Sequence, residues 1–170
     1  LGPDRVSEAL RTAYALGVDR AVQIKDDSYN VLDVGYAAKV LAKFLKEEGA
    51  EIILSGHTAI DSQSSMVPGM IAEHLSCVNI SNAVELSADG GKVTCKREVE
   101  GGTATMESGA PVVVTATKSL NDPRYPSLKG IMASKKKKIE VKDVAEVLGG
   151  EDAPKVEVVS LEPPPPRPAG

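Results

Sequence analysis

The stretch IILSGHTAIDSQSSMVPGM, residues 52–70, constrains this chain most. Ile52, Ile53 and Leu54 form a short unbroken apolar run, the pattern of a strand buried on both faces of a parallel sheet. The run breaks at Ser55-Gly56 and crosses small and polar residues before a helical pattern begins near Met66. A strand end, a Gly/Ser-rich turn and a helix N-terminus together make an anion site. Unpaired backbone N–H groups point outward there, and the helix dipole adds partial positive charge. In open α/β sheets ligands bind beyond the carboxyl ends of the strands. No Walker lysine follows, which excludes a P-loop. Shape alone is consistent with a phosphate or nucleotide site and equally with an ordinary βα connection.

The core has to suit such a sheet. The 170 residues include no Trp and one Phe, Phe44, so the 42% hydrophobic content is mostly Val, Ile, Leu and Ala, and the core must be built from these. A net charge of -4 argues against a nucleic-acid partner. Cys77 and Cys95 lack metal spacing, and with only His57 and His74 beside them no metal site is expected. No apolar run approaches the length of a membrane span and no signal peptide is visible. The expected setting is a reducing compartment without membrane insertion, the cytoplasm or, in a eukaryote, the mitochondrial matrix. An opening leucine and a proline-rich close lead to the expectation that both ends are cut from a longer protein.

Residues 4–17 keep helical spacing, with Gly17 as the stop. Residues 20–25 read as a strand with Ala21, Val22 and Ile24 inward. A helix over 31–48 turns Val34, Ala37, Ala38, Leu41 and Leu45 to one side, and a strand follows over 51–55. Residues 4–75 therefore predict half of a doubly wound parallel sheet, whose right-handed crossovers put both strand ends on one rim. Beyond Leu75, Asp89-Gly90-Gly91 and Glu100-Gly101-Gly102 mark antiparallel hairpins. Val112-Val113-Val114 returns to the main sheet. Pro123 and Pro126 interrupt an irregular region, with short helices expected over 128–134 and 144–148. Residues 155–161 alternate like an edge strand, and 163–166 read as polyproline.

Four stretches, in order, resemble the beta subunit of the electron transfer flavoproteins, the family that includes the FixA proteins. They are Glu8-Ala9-Leu10-Arg11-Thr12-Ala13 with Leu16-Gly17-Val18-Asp19-Arg20, then Ala59-Ile60-Asp61 after the strand and glycine. Next come Lys96-Arg97-Glu98-Val99-Glu100-Gly101-Gly102 with Pro111-Val112-Val113-Val114-Thr115. The last is Leu120-Asn121-Asp122-Pro123-Arg124-Tyr125-Pro126-Ser127-Leu128 with Ile131-Met132 and the lysine run. The resemblance implies a Rossmann-like α/β fold, of the adenine nucleotide alpha hydrolase type, with an added antiparallel hairpin region. It implies a nucleotide-binding domain over residues 1–150 and, over 151–170, a strand and the start of an arm toward a partner subunit. It also implies that the family's first strands and C-terminal arm are lacking.

By resemblance, the chain pairs with an alpha subunit that holds most of a shared FAD, and carries electrons from flavin-dependent dehydrogenases to a quinone oxidoreductase or another acceptor. It is an electron-carrier subunit, not an enzyme, and no residue reads as a catalytic acid, base or nucleophile. An AMP is expected in this subunit at Gly56, His57, Thr58, Ala59, Ile60, Asp61, Ser62, Gln63, Ser64, Ser65, Met66 and Val67. The family loop carries two further acidic residues where this chain has Ser62 and Gln63, so the loop is less repulsive to phosphate, whereas Pro68 removes a donor. Asp61 reads as a helix cap or as a ribose-hydroxyl acceptor, the cap being preferred. His57 reads as a loop histidine or a ligand contact. Arg97 and Glu98 either pair across the hairpin or face the alpha subunit. Arg124, Tyr125, Pro126, Leu128, Ile131 and Met132 are the expected partner-docking residues, with Leu128 as an apolar anchor and Lys135–138 as a solvated or steering run. Two alternatives stand beside this: a bifurcating beta subunit with a second FAD, and a nucleotide-sensing module of the universal-stress type, against which the hairpins and the Pro/Tyr loop argue.

Overall fold

The computed structural model describes residues 1–150 and 155–163. Its elements alternate as the sequence predicts: α1 (Val6–Ala15), β1 (Val22–Lys25), α2 (Val34–Glu47), β2 (Ile52–Gly56) and α3 (Val67–His74). Four longer or apolar strands follow, β3 (Val78–Asp89), β4 (Lys92–Val99), β5 (Gly102–Gly109) and β6 (Val112–Ala116). A 3-10 turn at Lys118–Leu120, α4 (Leu128–Lys136), β7 (Glu140–Asp143) and α5 (Val144–Leu148) complete the described elements.

The main sheet has the order β2-β6-β3-β4-β5. Its first half is parallel and its second half antiparallel. Val112, Val113 and Val114 are fully buried because β6 lies between two strands and is covered on both faces. Val113 packs with Ile53 beneath α2 and α3, whereas Val112 and Val114 face Ile80, Ala83, Val93 and Cys95. Burial also pushes the Cys95 thiol pKa up, so it behaves as a small apolar core residue. The hairpins turn where the glycines stand: Gly90 and Gly91 take φ 55° and 81°, a conformation L side chains rarely adopt.

The single doubly wound sheet expected over residues 4–75 is not formed. β1 pairs in parallel with β7 in a separate two-stranded sheet. Its other edge carries one bridge, to Gly2. Among the described residues β2 pairs only with β6, and Leu54 is 56% exposed on this edge strand. α2 spans the two sheets, with Leu41 packed against the core beneath each. The helix–strand order is therefore right, but the two strands are not hydrogen-bonded to one another.

Two smaller corrections follow from hydrogen bonding. α2 starts at Val34 rather than Val31, because the Asp33 side chain accepts from Tyr36 N–H as its cap. Residues 155–161 form no strand. The N–H groups of Lys155 and Val156 instead donate to Asp33 Oδ2, at 2.6 and 3.1 Å, which commits them to a carboxylate rather than a sheet edge. Of the expected polyproline segment, residues 164–166 lie outside the described residues, as do 151–154 and 167–170 of the expected arm. None of the described helices is long and apolar enough to cross a membrane.

Candidate functional site

β2 and β6 run in the same direction and end together, with Gly56 beside Ala116, while β3, parallel to β6, passes Ala116 at Ala83 and runs on into the hairpin to Asp89. At this rim the loop after β2 and the loop after β1 enclose a cavity of about 360 Å³. That size lies at the lower end of the roughly 300–1,000 Å³ typical of small-molecule sites. Of the twelve expected nucleotide contacts, Gly56, His57, Thr58, Ala59, Asp61, Ser62, Ser64, Ser65, Met66 and Val67 line it. Ile60 and Gln63 do not. Ile60 is 94% exposed, and Gln63 takes a left-handed φ of 48° while its N–H donates to Ala59 O at the turn.

The sequence reading missed Tyr29, Val31 and Val34, which close the cavity from the β1 side. The signal was available in the topology, since a loop at the end of β1 shares the rim with Gly56, but residues 26–33 carry no motif of their own. Asp26 shapes that loop. It is buried and accepts from Ser28 N–H, Ser28 Oγ and Tyr36 Oη at 2.6–2.8 Å. Burial pushes its carboxyl up, and these donors outweigh burial to hold it below the ordinary range.

Asp61 does not cap α3. Its Oδ1 accepts from Ser62 N–H at 2.7 Å, five residues before the Met66 N-cap position, which has no side-chain cap. The carboxylate therefore stays at the cavity, where burial first, and then Asp61 and Asp33, push the Tyr29 phenol up. His57 Nδ1 lies 3.5 Å from Thr115 Oγ1, and that buried oxygen accepts from Asn82 N–H at 3.0 Å. The half-buried histidine is thus held to the sheet while it lines the cavity.

The lining sorts by chemistry. Tyr29, Val31, Val34 and Met66 offer flat or apolar surface, and Ser62, Ser64, Ser65 and the start of α3 offer donors. Pro68 occupies the first turn of α3 and contributes no N–H, as expected. Among the described residues lining the cavity no lysine or arginine occurs. An anion here would be held by dipoles and hydroxyls rather than by side-chain charge. No group of three or more His, Cys, Asp or Glu that could hold a metal occurs among the described residues.

A second exposed feature is formed by the loop before α4 and by α4 itself. Tyr125 and Leu128 are 94% and 76% exposed, with Ile131 and Met132 beside Leu128 on α4 and the exposed Arg124 and Pro126 just before it. Ser127 caps this helix by accepting from Gly130 N–H at 3.0 Å. On the hairpins, the cross-strand ion pairs are Lys92–Glu107 and Lys96–Glu85, both at 2.8 Å. Arg97 makes no such pair; it donates to Ser81 Oγ at 3.0 Å, and its buried Nε has no partner.

The family model for the electron transfer flavoprotein domain matches residues 1–147. The chain belongs to the electron transfer flavoprotein family. It is similar to the electron transfer flavoprotein subunit beta of Mycobacterium leprae (strain TN), at 40% identity over 147 residues, covering 86% of this chain and 55% of that protein. It is likewise similar to the subunits of the same name from Syntrophomonas wolfei, at 42% identity, and Sus scrofa, at 39%. Those two alignments cover 99% of this chain, and 64% and 67% of the relatives. The chain thus spans little more than half the length of its mycobacterial relative. As a family member its Gly56–Val67 loop belongs to a beta-type electron transfer flavoprotein domain.

Proposed function

We propose that this chain is the nucleotide-holding and partner-docking portion of a beta subunit that works in a heterodimer with an alpha subunit. The observation that carries the reading is the convergence of the β1 and β2 loops on one cavity at the rim of the parallel strands, in a chain of this family. AMP suits the lining. Its base would lie against Tyr29, Val31, Val34 and Met66, its ribose would reach Asp61, and its phosphate would face Ser62, Ser64, Ser65 and the start of α3.

In this reading AMP is structural, and a FAD shared with the alpha subunit supplies the electron-carrying chemistry. This chain's residues bind, orient and dock. Leu128, Ile131 and Met132 would enter an apolar pocket on a flavin-dependent dehydrogenase, and a quinone oxidoreductase or similar acceptor would take the electrons on. A protein of this kind works in the cytoplasm or mitochondrial matrix. The test is the small-molecule content of the native complex, released by denaturation and separated by chromatography. FAD and AMP in equal amounts are expected. Absence of any adenine nucleotide besides FAD would refute the seat, and two FAD per heterodimer would replace AMP by a second flavin.

A further inference from the structure

α4 has nine residues, too few to hold itself as a helix in water. It is held by α1. A Cβ at Gly130 would lie 2.5 Å from the Ala15 carbonyl oxygen, so the two backbones meet directly. Arg11, in the middle of α1, donates Nη1 to Ser134 O at 2.6 Å and also to Lys137 O. These carbonyls sit in the last turn of α4 and just past it, where a helix leaves acceptors unpaired and favours a cation. Tyr14 Oη donates to Lys138 O at 2.8 Å. Lys137 reaches back to Val18 O at 2.7 Å, its ammonium 4.8 Å from the centre of the Tyr14 ring. The held side of α4 is thus polar and backbone-mediated, while its free side presents Leu128 and Met132.

We propose that Arg11 is a positioning residue for docking: it fixes the angle at which α4 offers its apolar side to a partner pocket with an acidic rim. This inference rests on the docking reading of α4 given above. The acidic rim follows from Arg124, Lys129, Lys135 and Lys136, all exposed around the patch in a chain of net charge -4. Arginine suits the task because its planar guanidinium holds the two N–H groups of Nη1 in a fixed direction toward the two carbonyls, whereas a lysine ammonium turns freely on a flexible stem.

The experiment uses the full-length heterodimer with a flavin-dependent dehydrogenase as donor. Leu128→Ala should raise the donor's KM for the carrier about tenfold. Arg11→Gln should raise KM in the same assay with kcat and flavin content unchanged, and should speed amide exchange over residues 128–138. Arg11→Lys should recover part of the loss. The double variant should be no worse than the poorer single variant, since both act through one helix. No effect of Leu128→Ala would overturn the docking reading itself. A Leu128→Ala effect with none from Arg11→Gln, or strictly additive effects, would overturn the Arg11 role alone. Should Arg11→Gln not fold, Lys137→Met removes a neighbouring strap from an exposed position. It should raise KM even at about 0.5 M salt, where charge steering is screened; an unchanged KM there would overturn the proposal.

Discussion

Asp33 joins two distant parts of the molecule through one carboxylate. Oδ1 caps α2 through Tyr36 N–H at 3.0 Å, and Oδ2 holds the chain at Lys155 and Val156. Burial pushes its carboxyl up, but these three N–H donors outweigh burial and hold it below the ordinary carboxylate value. A depressed folded-state pKa stabilises fully above the unfolded value, about 4, and the contribution is lost as pH falls through the folded value. The melting temperature should therefore fall with acid below about pH 4, and Asp33→Asn should flatten that fall. Equal slopes for both proteins would contradict the clamp. At neutral pH Asp33→Ala should cost about 1–2 kcal/mol, measured by urea unfolding. The sequence did not reveal this role because Lys155 and Val156 lie more than a hundred residues away. Asp61 was misread for a local reason: a carboxylate ahead of a helix resembles a cap, but four residues separate it from Met66 and its oxygen is taken by Ser62 N–H.

The elements themselves were largely legible. Continuous Val112–Val114 demanded a central strand, and paired glycines demanded hairpins; both patterns are local and dictated by backbone sterics. Gly91, at φ 81° with nothing within 4 Å of a built Cβ, isolates the conformational term. Gly91→Ala should destabilise by about 1–2 kcal/mol through backbone strain alone; an unchanged denaturation midpoint would show that the turn relaxes freely. α4 was also expected, yet its exit was not. Lys135–Lys138 read as a solvated run, whereas Lys137 turns back to α1 and the run's backbone is gripped by Arg11 and Tyr14. Such tertiary use of a charged segment leaves no periodicity to read.

At the scale of the molecule, the α/β fold with parallel strands and an added antiparallel hairpin region is as expected, and what the doubly wound pattern predicted incorrectly is that β1 and β2 share one sheet. Helix–strand alternation specifies where strand ends go, but hydrogen-bond neighbours depend on which edges are available. Here β1 takes β7 and β2 takes β6. With Leu54 and part of Ile52 facing solvent along β2, the 170-residue chain expressed by itself should melt broadly and expose apolar surface to a hydrophobic dye. A sharp two-state monomer transition would contradict that. The rim carries the function proposed, and its cavity can be filled without touching the core, since Ala59 is exposed and lines it. The decisive measurement is the AMP and FAD content of the native heterodimer carrying Ala59→Trp. Loss of AMP with FAD retained is the predicted result. Retention of one AMP per heterodimer beside that tryptophan would contradict the assignment of the nucleotide to this cavity.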